Sequence, residues 1–201
     1  TQSVSGKKAA DEYCYGIRTL IRNDKPIIGI YGVNEEGSGD MYPKGAQFLH
    51  TLRSVINNDE LWWSIIYDLQ VTYKHKNLNT EDVLNFMNNK SGMQLNKLFD
   101  QYLKYPSIPE LVWNSRVENE NLIIEYNWLT DVKDFEMPIE ITVRGKSERI
   151  LVKNEKQTLP LKKSDKIAFI GPLLDDKANM PGTWAVAVDY KESITLKSAL
   201  E

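Results

Sequence analysis

Tyr42 has the sequence surroundings most suited to chemistry. It follows a loop that contains Gly32, Gly37 and Gly39, and it directly precedes Pro43. Because proline is favoured in a first helical turn, this order puts the phenol at the start of a helix, where the helix dipole adds positive potential. A tyrosine O–H in that position can donate a hydrogen bond to an oxygen that gains negative charge. Packing of the ring at the helix entry is the structural alternative.

The residues next to Tyr42 are interpreted structurally. A lysine in the first turn opposes the helix dipole, so Lys44 is expected to be solvated, with a carboxylate partner as the alternative. Gly45 costs about 1 kcal/mol relative to alanine inside a helix, and close approach of another backbone would explain it. Cys14 lies on an apolar helical stripe and is expected to be a buried thiol.

The scarcity of metal ligands excludes several kinds of site. The 201 residues include one cysteine and two histidines, His50 and His75, so a cysteine-based zinc site and a helical His pair are excluded. The net charge of −3 does not favour nucleic acid, and no apolar run approaches membrane-helix length. With 41% hydrophobic residues, the chain has the composition of a globular protein.

The first half of the chain has the periodicity of helices. Apolar residues recur at spacings of three and four, and helix-starting and helix-ending residues divide the pattern. The predicted helices span about 7–23, Pro43 to about 56, about 60–74, a segment capped by Asn79 or Thr80 and ended by Gly92, and about 93–104.

After Pro106 the apolar period changes from 3.6 to 2, which indicates strands. The predicted strands include residues 122–128, 137–143, 149–153, 166–170 and 183–188. Short strands separated by turn residues are typical of an antiparallel sandwich or barrel. The predicted fold class is therefore α+β, with a helical segment over 1–106 and an all-β, sandwich-like domain over 107–201.

Several short motifs resemble the aminopeptidase N family of zinc peptidases, the gluzincins. Tyr42-Pro43-Lys44-Gly45-Ala46 is similar to the Tyr-x-Lys-Gly-Ala motif that begins a helix in that family. The resemblance continues, in matching order, through Phe48–Arg53, Thr80–Val83, Ser91–Leu95, Phe99–Leu103 and Ile108–Leu111. It implies the helical C-terminal part of a zincin catalytic domain followed by a β-sandwich.

The resemblance also implies an activity. The family binds zinc through an H-E-x-x-H motif and a further glutamate, and the zinc activates water to hydrolyse N-terminal peptide bonds. By that correspondence Tyr42 stabilises the oxyanion, and Lys44 and Gly45 are structural neighbours. The chain has no H-E-x-x-H, so it is expected to be a C-terminal fragment that is inactive alone and binds no zinc itself. The longer parent enzyme, of which this chain would be a part, would bind the zinc and hydrolyse peptide substrates.

Further expectations follow from the same resemblance. The partner of this segment would be the rest of the catalytic domain, and the parent is expected to be an exported or periplasmic bacterial enzyme. One alternative is a non-catalytic, peptidase-like binding or scaffold module. Another is that residues 110–201 form an independent sandwich that binds carbohydrate or a protein partner.

Overall fold

A computed structural model describes residues 2–119, 121–143, 146–162 and 167–168. The chain divides into two units, of which the first comprises Thr1–Pro109 and Thr130–Phe135 and the second comprises Glu110–Leu129 and Glu136–Glu201. The first unit is therefore discontinuous in sequence, because the chain returns to it between two strands of the second unit.

The first unit contains five α-helices. They are α1 (Gln2–Ile17), α2 (Pro43–Ile56), α3 (Asp59–Tyr73), α4 (Thr80–Ser91) and α5 (Asn96–Lys104), with short 3₁₀ turns at Arg18–Leu20 and Gly39–Met41. The prediction of helices in the first half is confirmed. The first α-helix ends earlier than predicted. It ends at Ile17 and is followed by a 3₁₀ turn from Arg18, whereas the prediction extended it to about residue 23.

Capping explains why α4 begins and ends where the sequence predicts. The Asn79 side chain accepts a hydrogen bond from the Asp82 amide at 2.9 Å, and the Asp82 side chain accepts one from the Asn79 amide at 3.0 Å. This reciprocal capping box satisfies two amides that the helix leaves unpaired. Gly92 follows the helix with φ of +71°, a left-handed conformation that glycine adopts without steric cost.

An aromatic cluster packs α2 against α5. The Phe48 ring meets Phe99 edge-on at 5.0 Å between centroids and stacks on Tyr102 at 4.9 Å. Leu52 of α2 and Ile65 of α3 have no exposed surface. Burial of such side chains contributes roughly 1.5–3 kcal/mol each. This core fixes α2, the helix that Tyr42 precedes.

Among the residues that the structure describes, the second unit contains two three-stranded antiparallel sheets. The strands are β1 (Glu110–Glu118), β2 (Asn121–Leu129), β3 (Glu136–Val143), β4 (Lys146–Lys153), β5 (Gln157–Lys162) and β6 (Ile167–Ala168). One sheet has the order β1-β2-β5 and the other the order β4-β3-β6. The predicted strands over 122–128, 137–143 and 149–153 are confirmed, whereas β1 and β5 were not predicted.

Buried residues alternate with less buried ones along the first part of β2. Leu122 and Ile124 of β2 pack with Leu161 of β5 in one apolar cluster. The Trp128 indole N–H donates to the Met137 carbonyl oxygen at 3.0 Å, so this hydrogen bond joins the two sheets. The mixture of helices and antiparallel strands confirms the α+β class. The predicted strand over 183–188 lies outside the described residues, as does part of the one over 166–170.

Candidate functional site

Tyr42 is presented to solvent at the start of α2. It follows the 3₁₀ turn Gly39–Met41, its side chain is 76% exposed, and its carbonyl oxygen accepts the Ala46 amide at 2.9 Å. Its hydroxyl makes no side-chain hydrogen bond to any residue within the described ranges. The predicted location at a helix start is confirmed, and the phenol is accessible to an incoming group.

Asp40 anchors the turn on the N-terminal side of Tyr42. Its carboxylate is only 1% exposed and accepts hydrogen bonds from the backbone amides of Arg22, at 2.9 Å, and Asn23, at 2.6 Å. The Asp40 amide in turn donates to the Ser38 hydroxyl at 3.0 Å. Hydrogen bonds to an ionised acceptor are stronger than neutral ones. The chain before Tyr42 is therefore held against residues 22–23.

Lys44 anchors the helix on the C-terminal side of Tyr42. It has no exposed surface, and its Nζ donates to the carbonyl oxygens of Tyr105 at 2.7 Å, Pro106 at 2.8 Å and Ser107 at 3.5 Å. The first two contacts are short and the third is at the distance limit for a hydrogen bond. An ammonium has three N–H donors, so these three acceptors match its full capacity.

Burial sets the protonation behaviour of Lys44. Desolvation lowers the pKa of its ammonium to about 8, and the negative charges of Asp40 and Asp131 oppose that change. Loss of hydration disfavours the charged form of a buried lysine, whereas nearby carboxylates favour it. The protonation state of the Lys44 ammonium therefore depends on its burial and on the charges of Asp40 and Asp131.

Gln101 extends this polar network from α5. It is fully buried, and its Nε2 donates to the Ser107 carbonyl oxygen at 3.2 Å and to Asp131 Oδ2 at 3.1 Å. Its Oε1 accepts the amides of Asp131 at 2.9 Å and Val132 at 3.0 Å. The hydrogen bonds from Ser107 and Gln101 lower the pKa of the Asp131 carboxyl. Gln101 thus joins residues 105–107 to the returning segment 130–135.

The arrangement can donate a hydrogen bond from a well-supported phenol. Tyr42 lies between two buried charged anchors and at the N-terminus of a 14-residue helix. Donors that are fixed in advance stabilise developing negative charge at little reorganisation cost. Across the described ranges, no group of three His, Cys, Asp or Glu side chains could hold a metal ion.

Several expectations about neighbouring residues are wrong. Lys44 is buried instead of solvated, because three main-chain oxygens replace the water around its ammonium. No backbone approaches Gly45, since no neighbouring atom lies within 4 Å of the position that a Cβ would take. Cys14 is partly exposed instead of buried.

Sequence reasoning missed Gln101 and the buried role of Lys44. One signal was present, because Lys44 is in helical phase with Phe48, Leu52 and Val55, all of which are buried. A polar residue in phase with an apolar face needs buried partners. Those partners are carbonyl oxygens about 60 residues further along the chain, and backbone atoms carry no residue-type signal.

Comparisons with known proteins give two likenesses of different kinds. No protein-family model matches the chain. In structure it is similar to an aminopeptidase A from Legionella pneumophila solved with aspartic acid, with a TM-score of 0.53 and 13% identity over 76% of this chain and 20% of that one. In sequence, 52 residues are 40% identical to a periplasmic β-glucosidase of Salmonella typhimurium, covering 26% of this chain and 7% of that protein.

The structural likeness supports a fold similar to part of an aminopeptidase, at low sequence identity. The chain spans about one fifth of the aminopeptidase and a much smaller share of the β-glucosidase. The expected relation to an aminopeptidase is supported by this similarity of fold. None of the helices that the structure describes combines the length and the apolar character needed to cross a bilayer.

Proposed function

We propose that this chain is a C-terminal part of a zinc-dependent aminopeptidase and supplies its oxyanion-stabilising tyrosine, Tyr42. The observation that carries the proposal is the exposed phenol held between the buried Asp40 and Lys44 at a helix start. The similarity of the fold to part of an aminopeptidase supports it. The motif that resembles the aminopeptidase N family contains Tyr42 and Lys44, and Asp40 lies two residues before it.

The chemistry assigned to this chain is limited to Tyr42. Its hydroxyl donates a hydrogen bond to the carbonyl oxygen of the scissile peptide as that oxygen becomes negative. The zinc, when bound by the remainder of the parent, activates water. Because the described residues offer no ligand set, the zinc ligands belong to a part of the parent outside them. A peptide substrate would meet Tyr42 from the solvent side.

The complete reading frame and the activity of its product test this proposal. We expect an H-E-x-x-H motif upstream and zinc-dependent hydrolysis of aminoacyl anilides by the full-length protein. Tyr42→Phe should lower kcat by about 100-fold or more with a smaller effect on KM, as for loss of an oxyanion donor. Tyr67, on α3 and 68% exposed, is the matched control, and Tyr67→Phe should leave kcat unchanged. An unchanged kcat in Tyr42→Phe rejects the role.

The β-glucosidase likeness favours a second candidate. Its 40% identity over 52 residues is higher than the identity to the aminopeptidase. By this alternative the chain contains a segment of a carbohydrate-active protein, and the parent acts on β-glucosides in the periplasm. Parallel assays of the full-length protein on a nitrophenyl β-glucoside and on aminoacyl anilides separate the two candidates. Glucoside hydrolysis without peptidase activity would favour the second one.

A non-catalytic, peptidase-like module is a further alternative. It predicts that the upstream sequence lacks H-E-x-x-H and that the full-length protein binds peptides without hydrolysing them. The same reading frame and the same assays therefore test all three functions.

A further inference from the structure

Lys44 is a buried charge that the oxyanion role of Tyr42 does not use. A lysine side chain loses hydration on burial, and a fully buried lysine is rare unless it has partners. Here the partners are three successive main-chain oxygens, those of Tyr105, Pro106 and Ser107. We name residues 105–107 the exit segment, because they follow α5 and precede β1. Lys44 thus joins two parts of the first unit that are far apart in sequence.

The exit segment is held from its other side as well. Gln101, one turn before the end of α5, donates to the Ser107 carbonyl oxygen at 3.2 Å and to the Ser107 hydroxyl at 3.2 Å. Gln101 is itself fully buried and accepts two backbone amides from residues 131 and 132. Of the three oxygens that Lys44 contacts, that of Ser107 is therefore also held by Gln101.

The opposite end of this connection is the first turn of α2. Lys44 is the second residue of the helix, and Tyr42 is the residue that precedes the helix. The Tyr42 carbonyl oxygen accepts the Ala46 amide at 2.9 Å, so Tyr42 and the first turn share one hydrogen-bonded ring. No side-chain cap holds this helix end. Its orientation therefore depends on Asp40 before Tyr42 and on Lys44 after it.

We propose that Lys44 is a positioning residue for Tyr42, because its ammonium ties the first turn of α2 to the exit segment and so fixes the direction of the phenol. Only the catalytic consequence rests on the proposed function. The structural connection stands on the three carbonyl contacts and on the burial of Lys44. An apolar residue at position 44 would remove the Lys44 donor from the Tyr105 and Pro106 carbonyl oxygens, so the connection would be lost together with the charge.

Nuclear magnetic resonance of the 201-residue chain tests the connection. In Lys44→Met, which keeps length but removes all donors, we expect the amide signals of the exit segment and of Met41–Ala46 to change together. Lys97→Met is the matched control, because Lys97 also donates to one backbone oxygen, that of Asp134 at 2.6 Å, from an exposed position. It should leave Tyr42 unchanged. Amides next to residue 44 change with any substitution there, so unchanged ring signals of Tyr42 beside a changed exit segment would overturn the proposal.

A second variant covers the case in which Lys44→Met does not fold. Gln101→Met loosens the exit segment from the side of α5 and leaves α2 intact. We expect the amide and ring signals of Tyr42 to change in this variant too, because the change travels through Lys44. A perturbed Ser107 amide beside an unchanged Tyr42 would show that the exit segment does not position the phenol.

The full-length protein tests the catalytic consequence. Lys44→Met should lower kcat about 10- to 100-fold with little change in KM, as expected for a misplaced catalytic group. Combined with Tyr42→Phe it should cost no further activity, because a positioning residue acts only through the residue that it positions. Additive losses would reject a role through Tyr42. If Tyr42→Phe alone leaves kcat unchanged, the oxyanion proposal fails, and the resonance results still decide the structural connection.

Discussion

The carboxylate of Asp40 and the ammonium of Lys44 are both buried, two residues before and two residues after the exposed Tyr42. Each side chain meets the main chain: Asp40 accepts amides from residues 22 and 23, and Lys44 donates to the carbonyl oxygens of residues 105–107. Both anchors therefore use backbone atoms of distant segments. Together they hold a short stretch whose central side chain remains accessible.

Tyr42→Phe should leave stability unchanged. The phenol is 76% exposed and its hydroxyl has no side-chain partner among the described residues, so removal of one oxygen should alter the free energy of unfolding by less than about 0.5 kcal/mol. Thermal unfolding of both chains measures this difference. A marked fall in Tm would instead show that the hydroxyl makes a stabilising hydrogen bond.

Asp40→Asn should destabilise the chain by about 1–3 kcal/mol. The substitution removes the ionised acceptor and turns an amide group towards the donors of residues 22 and 23. Urea unfolding gives the difference. Asp68→Asn is the control, because Asp68 pairs with Lys90 at 2.7 Å near the surface, where an ion pair contributes about 0–1 kcal/mol. Equal losses in both variants would contradict a special role for Asp40.

Lys44 should make stability rise with pH above 8. Its pKa is about 8 in the folded chain, against 10.5 for a lysine in water, so the unfolded chain binds more protons between these values. The unfavourable contribution of the charged form is complete below pH 8 and disappears as pH approaches 10.5. Relative to Lys44→Met, the native chain should gain up to about 3 kcal/mol across this window.

Urea unfolding of the two chains between pH 7.5 and 10 measures that gain. A carbon-detected titration of Lys44 should give a midpoint near 8, whereas an exposed lysine titrates near 10.4. Parallel stability curves for the two chains, together with an ordinary midpoint, would show that the ammonium is less strongly desolvated than its burial indicates.

Asn79→Ala should destabilise α4 by about 1 kcal/mol. The substitution removes one half of the capping box with Asp82 and leaves a first-turn amide without its partner. Asn77, exposed in the preceding loop, provides the control substitution to alanine, which should have an effect below about 0.5 kcal/mol. Hydrogen exchange along α4 would locate the loss at the first turn. Equal effects of the two substitutions would contradict the capping role.

Local signals explain which parts of the fold could be predicted. Pro43, Asn79 and Gly92 act on their own turns, so the limits of α2 and α4 were visible in the sequence. Strand β2 was visible because Leu122, Ile124 and Trp128 alternate with less buried residues. Strand β1 was missed, since most of its residues are exposed and its pattern does not alternate cleanly.

The candidate site was predictable only at its exposed residue. Tyr42 could be located from the proline that follows it and from the preceding glycines. Its two anchors could not, because Asp40 and Lys44 bind amides and carbonyl oxygens, which every residue has. The phase of Lys44 with Phe48 indicated burial but not a partner. A long-range contact to a backbone atom cannot be predicted from residue types, because every residue has the same backbone atoms.

The return of residues 130–135 to the first unit has a consequence for separating the units. A polypeptide that stops at Pro109 would remove the amides that Gln101 accepts from residues 131 and 132, and so would leave a buried oxygen unsatisfied. Glu110 and Leu129, however, are direct partners across the β1–β2 ladder, where paired Cα atoms lie about 5 Å apart. A chain that ends at Phe135 and has a tight turn in place of residues 110–129 would therefore keep the Gln101 oxygen satisfied in a minimal helical protein.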